Sequence, residues 1–366
     1  MISSKTFDAF LALVRQGIGH ESRVLSQEID WTAIKALADT HGLSAIVLDG
    51  VNGLSGLSSF SNSAVLGPAK QFLLQWIGEV MQSFEGRYAA YEKAIGSLAG
   101  FYNQHGYKMM VLKGYASSLD WPNPKHRPCG DIDIWQFGKQ KEADAVLAKE
   151  KGVKIDTTHH HHTVFDWHGF LVENHYDFIN VHHHESNAEF EKILKQLGED
   201  DSFSVEVNGE KVYLPSPNLH ALFLLKHLMM HFASEGIMLR QVVDWGFFVE
   251  KHGKDIDWNY VLDVLDEFGM HQMLTIINAI CVGDLGFDVA YFPAVQFDPG
   301  LKDRVLNEIL APEYSNHTPT GFIKRVIFKI RRWMANTWKH QLCYKDSMWS
   351  AFWSGMWNHL LKPSSI

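Results

Sequence analysis

Hydrophobic residues recur every three or four positions over much of the first hundred residues, and this spacing predicts helices. Residues 31–41 show it clearly, and Gly42 then provides a helix stop. Residues 50–69 form an uncharged run with five serines and four glycines, which predicts a loop. Helical spacing returns over residues 69–104. We therefore predict a helical N-terminal region, residues 1–105.

From residue 106 onwards the spacing becomes that of strands. Residues 108–112 (KMMVL) are a short apolar run, and residues 131–135 (DIDIW) alternate polar and apolar side chains. Residues 139–149 have helical spacing, and Asn208-Gly209 predicts a type I′ hairpin turn. The predicted hairpins pair residues 164–167 with 170–178, turning at His168-Gly169, and residues 203–207 with 211–214.

Helical patterns fill the rest of the chain, beginning at Ser216-Pro217, where a capping residue precedes a first-turn proline. Further helices are predicted over residues 239–250, residues 258–268 and the aromatic-rich last 45 residues. The predicted fold class is α+β. A small mixed-sheet core at residues 106–215 is flanked by the N-terminal helical region and by a C-terminal helical region, residues 216–366.

Composition narrows the classes of protein. Hydrophobic residues make up 46% and charged residues 20%, which excludes a disordered chain. Three widely spaced cysteines exclude a disulfide scaffold and suit the reducing cytoplasm, where we expect the protein. The net charge of −9 argues against a non-specific nucleic-acid coat, without excluding a specific nucleic-acid partner. No signal peptide or membrane span is predicted, so we expect no stable membrane insertion.

Asp131 and Asp133 are the first candidates for chemistry. Residues two apart on a strand point to the same face, so both carboxylates would project together while Ile132 and Ile134 face the opposite, buried side. Parallel carboxylates repel each other unless a cation lies between them, and Mg²⁺ is usually held by one or two carboxylates with substrate phosphates. The alternative is a surface strand whose acids are solvated.

Further polar residues surround this pair in the sequence. A turn at Gly114 follows a short strand and leads towards a helix, so its backbone N–H groups could meet an anion. Arg127 lies four residues before Asp131 and offers a guanidinium fork to phosphate. Glu173 and His175 share one face of a later strand, where Glu173 would be a third carboxylate.

Taken together, this order of motifs resembles a known superfamily. A strand, a glycine turn and a helix, then Asp-x-Asp on a strand and an acid on a later strand, is the pattern of DNA polymerase β-like nucleotidyltransferases. LKG, RPCGDIDIW and VENHYDF, with the helical LKHLMMHFA and LRQVVDWGFFVEKHGKDIDWNYVLDVLDEFGM, are more specifically similar to a bacterial family of uncharacterised nucleotidyltransferases. The resemblance extends over roughly residues 30–270.

The resemblance implies a metal-dependent transfer of a nucleoside monophosphate from a nucleoside triphosphate to an acceptor hydroxyl, which would attack the α-phosphate in line. Two Mg²⁺ ions, or Mn²⁺ in their place, would stabilise the attacking and leaving oxygens. The sequence identifies neither the nucleotide nor the acceptor, for which an anionic molecule is one candidate. Asp131, Asp133 and Glu173 would be the catalytic metal ligands, and Lys113, Gly114, Arg127 and His175 would bind the nucleotide.

Tyr115 departs from the superfamily pattern, which has glycine or serine after the glycine of the phosphate turn. The spacing from Gly114 to Asp131 is also long. A catalytically inactive binding protein of the same fold therefore remains as an alternative.

The histidines support a third interpretation. His159–His162 and His182–His184 would form a zinc cluster in a hydrolase, or else they are polar loop residues near an anionic site. His227 and His231 lie one helical turn apart, where lining a cleft and packing in the core are equally compatible with the spacing.

Residues 321–345 hold seven basic residues and no acid. Three interpretations compete for this basic segment: a helix packed on the body, a surface for an anionic acceptor, and a membrane-surface helix. We favour the packed helix, in which an apolar stripe would face the body: Ile323, Val326, Ile327, Ile330 and Met334.

Overall fold

The computed structural model describes residues 4–21, 29–55, 70–182, 184–293, 296–314 and 320–349. Within these ranges the chain forms fifteen α-helices and one six-stranded mixed sheet. The α+β fold class is therefore confirmed. The predicted division into three regions stays a prediction, since one buried apolar cluster contains Leu37, Trp135 and Ile277 and so joins all three.

Five helices make up the described part of residues 1–105. A π-helical segment, Met81–Gly86, joins the last two of them, so the predicted helix over residues 69–104 is nearly continuous. The helices are α1 (Ser4–Gly17), α2 (Trp31–Thr40), α3 (Ser44–Ser55), α4 (Lys70–Val80) and α5 (Arg87–Gln104).

The loop prediction for residues 50–69 is wrong over residues 50–55, because α3 continues to Ser55. Gly50 lies against α1, where an added Cβ would stand 2.1 Å from the Leu13 carbonyl oxygen. On α1, Gly17 approaches α3 equally closely. The glycines in this run thus allow two helix backbones to touch instead of breaking a helix. Residues 56–69 lie outside the described residues.

The sheet has the strand order β3-β4-β2-β1-β6-β5. β2 runs parallel to β4 and β1 parallel to β6, while the remaining neighbours are antiparallel. β1 is shorter than the predicted 108–112 because the chain turns after Leu112 into a helix. The strands are β1 (Met110–Val111), β2 (Ile132–Trp135), β3 (His162–Trp167), β4 (Phe170–His175), β5 (Ser204–Val207) and β6 (Glu210–Tyr213).

Both predicted hairpins are confirmed. Asn208 and Gly209 have φ angles of 51° and 83°, as the central residues of a type I′ turn require. His168 and Gly169 have φ angles of 52° and 81° and connect β3 to β4 in the same way. The helices among these strands are α6 (Lys113–Ser118), α7 (Gln140–Lys151) and α8 (Glu185–Gly198), with a short 3₁₀ turn at Pro124–His126.

The described part of the C-terminal region is helical as predicted, and residues 350–366, which belong to the predicted helical last 45 residues, lie outside the described residues. Pro217 opens its first helix, and Asp257 caps the predicted helix at 258 by accepting a hydrogen bond from the Tyr260 backbone N–H. The helices are α9 (Pro217–Ser234), α10 (Leu239–His252), α11 (Trp258–Glu267), α12 (His271–Ile280), α13 (Pro299–Leu310), α14 (Phe322–Ala335) and α15 (Thr337–Cys343). A π-helical segment, Cys281–Leu285, and a 3₁₀ turn, Val289–Tyr291, connect α12 to α13.

The apolar stripe of the basic segment does not pack on the body in its described members. Ile327, Ile330 and Met334 on α14 are 47%, 50% and 63% exposed, so the packing that we favoured is wrong for these three side chains. The side chains of Ile323 and Val326 lie outside the described residues. In the described ranges, every helix is too short or too polar to cross a bilayer.

The two faces of the sheet pack against different helices. Ile132 and Ile134 of β2 belong to a buried cluster with α5, as predicted for their face of the strand. Trp135, on the opposite face, joins the larger cluster that contains Phe223 of α9. Asp133 lies between Ile132 and Ile134 in sequence and therefore points towards the α9 side of the sheet.

Candidate active site

All seven residues singled out from the sequence line one cavity of about 640 Å³. This volume falls within the range of small-molecule sites. The cavity lies between the sheet and two helices of the C-terminal region, α9 and α10. The residues are Lys113, Gly114, Arg127, Asp131, Asp133, Glu173 and His175.

Strand register brings the carboxylates together. Asp133 on β2 is the direct partner of Glu173 on the parallel strand β4, so both side chains leave the same face of the sheet. Asp131 immediately precedes β2 and also lines the cavity. We call this side of the cavity the sheet wall, which comprises Asp131, Asp133, His161, His162, Glu173 and His175.

Lys113 supplies the cation that these carboxylates need. It opens α6 directly after β1, and its Nζ lies 2.7 Å from Oδ1 of Asp133, whose side chain is only 3% exposed. Burial alone would raise the pKa of Asp133, yet the Lys113 ammonium and a hydrogen bond from His175 hold it well below its usual range. Burial opposes the charge on Lys113 as well, but Asp133 outweighs it and raises the pKa of Lys113. The pair is therefore ionised.

The pKa values of the other two carboxyl groups, Glu173 and Asp131, are shifted in the opposite direction, above their usual range. Burial and the charge on Asp133 raise the pKa of Glu173 to about 7. The same two causes, burial first, raise the pKa of Asp131. The site thus holds one firmly ionised carboxylate and two groups that exchange protons more easily, a separation of roles typical of acid–base sites.

His175 connects these groups. Its Nε2 lies 3.1 Å from Oδ1 of Asp133 and 3.7 Å from Oε2 of Glu173, and its Nδ1 is 3.1 Å from the Asp177 carbonyl oxygen. Asp133, Glu173 and His175 can each offer one ligand atom, all within 4.8 Å of one another. The carboxylates of Asp133 and Glu173 suit a hard divalent ion, because such an ion prefers oxygen ligands.

Arg127 is already paired within the protein. Its Nε and Nη2 donate to Oδ1 and Oδ2 of Asp244 on α10, at 2.8 and 3.0 Å, and both side chains are buried. Trp121 Nε1 donates to the same carboxylate at 2.8 Å. Arg127 thus fastens the segment before β2 to α10, and this forked contact occupies two of the donors that we expected to face phosphate.

Arg240, one turn before Asp244 on α10, was not singled out from the sequence. It lines the cavity, and its Nη1 donates to the Pro128 carbonyl oxygen at 3.1 Å, while its buried Nε has no hydrogen-bond partner among the described residues. Burial and the neighbouring Arg127 lower the pKa of Arg240 to about 10. The spacing of Arg240 and Asp244 on one helix face was the signal available in the sequence.

His227 and His231 line the cavity from α9, so of the two interpretations the structure favours lining a cleft. Lys113 Nζ donates to Nε2 of His227 at 3.3 Å. Nε2 of His231 lies 3.1 Å from Nε2 of His227. Burial and Lys113 hold the pKa of His227 well below its usual range, so its ring stays neutral. We call this side the helical wall, which comprises His227, His231, Arg240 and Asp244.

Gly114 lines the cavity at the turn into α6, whereas Tyr115, the next residue, does not. Gly114 has φ of 37°, and a Cβ there would lie 2.9 Å from the hydroxyl of Tyr91, which donates to the Asp131 backbone carbonyl at 2.7 Å. Tyr115 turns away and donates its hydroxyl to Glu92 at 3.0 Å. The tyrosine that departs from the superfamily pattern therefore leaves the cavity open.

Comparison with known proteins bears on these residues. The sequence profile of a protein family described as "Uncharacterised nucleotidyltransferase" matches residues 27–282, more than two thirds of the chain. No curated protein matches the sequence significantly. Among solved structures, the chain is similar to an antigenic nucleotidyltransferase-like protein from Paracoccidioides brasiliensis. The identity is 14% and the TM-score 0.32, over 48% of this chain and 87% of that chain.

Proposed function

The chain belongs to the family of uncharacterised nucleotidyltransferases, and on this premise we propose that it catalyses a metal-dependent transfer of a nucleoside monophosphate. The donor is a nucleoside triphosphate, and the acceptor is a molecule with a free hydroxyl group. The observation that carries the proposal is the direct strand pairing of Asp133 with Glu173 at the floor of a cavity of about 640 Å³.

Asp133 and Glu173, with Asp131 beside them, are the residues that would hold Mg²⁺ or Mn²⁺. The bound ions would stabilise the attacking and leaving oxygens of an in-line displacement. Asp133 is suited to this role because it is ionised in the folded protein. Lys113 keeps Asp133 ionised. If the Lys113 ammonium moved from Asp133 to the triphosphate, it would exchange one anionic partner for another and would remain paired.

In this proposal Glu173 would draw the proton of the acceptor hydroxyl with the carboxylate oxygen that does not hold the metal ion. A general base works best when its pKa lies near the operating pH, and in the metal-free protein the pKa of Glu173 is raised to about 7. Asp131, whose pKa is raised by burial and by Asp133, is the second candidate for the same role. His175 holds the ionised form of Asp133 through its Nε2.

The helical wall would receive the phosphates. Among the described residues, Arg127 forms an ion pair with Asp244 whereas Arg240 forms none, so this part of the cavity holds a guanidinium without a direct counter-ion. Arg240 is the residue with a donor to spare, and Arg127 acts mainly by holding α10 against the segment before β2. In this proposal the cations lie opposite the carboxylates that would hold the metal, and a triphosphate would span the cavity between them.

The proposal is tested with nucleoside triphosphates that carry radioactive phosphorus at either the α- or the γ-phosphate. The full chain is incubated with each nucleotide, Mg²⁺ and separate protein, RNA and small-molecule acceptor fractions. We expect the α-label to enter one fraction and the γ-label to leave as pyrophosphate. Transfer should disappear in Asp133→Asn and persist in Asp166→Asn, which changes an exposed acid on β3. Incorporation of the γ-label would contradict nucleotidyl transfer, and nucleotide binding without any transfer would indicate the inactive binding protein.

A further inference from the structure

Three imidazole rings meet beside the carboxylates of the sheet wall. β3 begins at His162, whose register partner is His175 at the end of β4, and His161 precedes β3. The ring centroids of His161 and His162 are 4.3 Å apart, and His175 lies 5.5 and 5.3 Å from them. Each ring offers one nitrogen, and the three nitrogens lie within 4.8 Å of one another. The hairpin thus gathers three nitrogen ligands at one point.

Two of these rings have a nitrogen without a partner. Nδ1 of His161 and Nδ1 of His162 are buried and make no hydrogen bond among the described residues, and the His162 side chain is only 9% exposed. Leaving a buried polar atom unsatisfied costs about 1–3 kcal/mol, so such atoms call for an explanation. A metal ion that accepts the lone pairs of these rings would provide one.

We propose that His161, His162 and His175 bind one divalent transition-metal ion of the Zn²⁺ class. Imidazole nitrogen is a preferred ligand of Zn²⁺ and is poorly suited to Mg²⁺. This site differs from the oxygen-ligated site proposed above in its nitrogen ligands and needs neither nucleotide nor transfer activity. The two sites meet at His175, whose Nε2 contacts Asp133 in the metal-free protein and would release its proton to ligate the ion.

The surroundings favour such an ion. Nδ1 of His175 lies 3.1 Å from the Asp177 carbonyl oxygen, which orients Nε2 towards the site in the manner of an outer-shell partner. Glu173 Oε1 lies 3.9 Å from Nε2 of His162 and offers negative charge, or a fourth ligand, to the ion.

The test is calorimetric titration of Zn²⁺ alone into the chelator-treated full chain, without nucleotide. We expect one tight ion per chain. His161→Gln and His162→Gln should each lower the affinity roughly 100-fold, because even outer-shell partners account for about 10–100-fold. Two matched variants should bind as the unchanged protein does: His160→Gln, in the same run, and His168→Asn, an exposed histidine at the other end of the hairpin.

A second measurement keeps the proposal falsifiable where a variant folds poorly. Zn²⁺ should raise the Tm of the unchanged protein and of His160→Gln, and Co²⁺ bound in its place should show the visible absorption of a four-coordinate site with three nitrogen ligands. Equal Zn²⁺ affinity in His161→Gln and in the unchanged protein would overturn the proposal. Loss of Zn²⁺ binding in His160→Gln would overturn it too, because it would indicate adventitious binding by the histidine run His159–His162. Loss in Glu173→Gln with full binding in His161→Gln would place the ion on the carboxylates and overturn it as well.

Discussion

The sheet wall of the cavity carries carboxylates and histidines on or next to β2, β3 and β4, whereas the helical wall carries two histidines on α9 and Arg240 and Asp244 on α10. On the sheet wall, hydrogen-bonded register fixes Asp133 opposite Glu173. On the helical wall, contacts between distant residues position α10, among them the buried ion pair of Arg127 with Asp244, 117 positions apart in the chain. The comparison teaches that the acidic half of the site is positioned by backbone pairing between strands and the cationic half by side-chain contacts between distant residues.

Lys113 stands between the two walls and contacts both, through Asp133 and through His227. The sequence predicts a cation between the carboxylates of Asp131 and Asp133, and a divalent metal ion is the cation that we expect there. The structure adds a lysine that neutralises Asp133 from within the chain. The walls are therefore coupled electrostatically, since any ligand that draws Lys113 away from Asp133 changes the charge on both sides.

Breaking the long-range contact should have the largest effect on stability. Asp244→Asn leaves the buried Arg127 guanidinium without its counter-ion, and loss of one partner of a buried pair costs about 3–5 kcal/mol. We expect urea denaturation to show a loss of this size. Asp266→Asn, which changes an exposed acid, should leave the free energy of unfolding nearly unchanged. A loss below about 1 kcal/mol in Asp244→Asn would mean that α10 is held by other contacts.

The second largest effect on stability is expected from low pH, because two buried histidines contact the helices of the helical wall. His220 on α9 is buried against Phe248 of α10, and His41 accepts a hydrogen bond from the Leu239 backbone N–H that opens α10. Burial lowers the pKa of each histidine to about 4 from 6.5. Between pH 6.5 and 4 the unfolded chain therefore binds more protons than the folded one, so stability falls as pH falls, by about 1.4 kcal/mol per pH unit for each ring.

This pH dependence is measured by denaturant titration at a series of pH values. His220→Gln removes one of the two titrating rings, so the slope of stability against pH between 4 and 6.5 should decrease by about 1.4 kcal/mol per unit. His168→Asn, at an exposed turn, should leave the slope unchanged. An unchanged slope in His220→Gln would show that this ring titrates in the folded protein much as it does in the unfolded chain.

Removing the spare cation of the helical wall should have the smallest effect on stability and a selective effect on binding. Arg240→Gln deletes a charge that lies beside Arg127, so we expect the Tm to stay constant or rise. A hydrogen bond to a charged group contributes about 1.5–3 kcal/mol, so the KM for the nucleoside triphosphate should rise about tenfold or more. Steady-state kinetics of Arg240→Gln beside Lys254→Gln, which changes an exposed lysine, measures this. A constant KM would remove Arg240 from the phosphate site.

Most of the sheet could be predicted from the sequence because its signals are local. Period-two alternation in DIDIW places Asp133 opposite the buried face of Ile132 and Ile134, and the Asn208-Gly209 pair determines its turn by positive φ alone. Six of the seven candidate residues came from such signals and Lys113 from the family resemblance, and all seven line the cavity.

The remaining features depend on contacts between distant residues. Gly50 was assigned to a loop by composition, and only the facing backbone of α1 explains why it is helical. Arg127 was expected to bind phosphate, and its partner Asp244 lies far along the chain. The exposure of Ile330 on α14 likewise depends on whether another part of the protein packs against that helix face, and local residue spacing does not determine such packing.

The central claim is that Asp133 and Glu173 bind a nucleotide through a divalent metal ion, and calorimetry with a non-hydrolysable nucleoside triphosphate tests it most directly. The account predicts that the unchanged protein binds the nucleotide tightly with Mg²⁺ and weakly with a chelator, and that Asp133→Asn and Glu173→Gln abolish this difference. Asp166→Asn, an exposed acid on β3, should retain it. Equal affinity with Mg²⁺ and with chelator in the unchanged protein, or full Mg²⁺ dependence in both variants, would contradict the account.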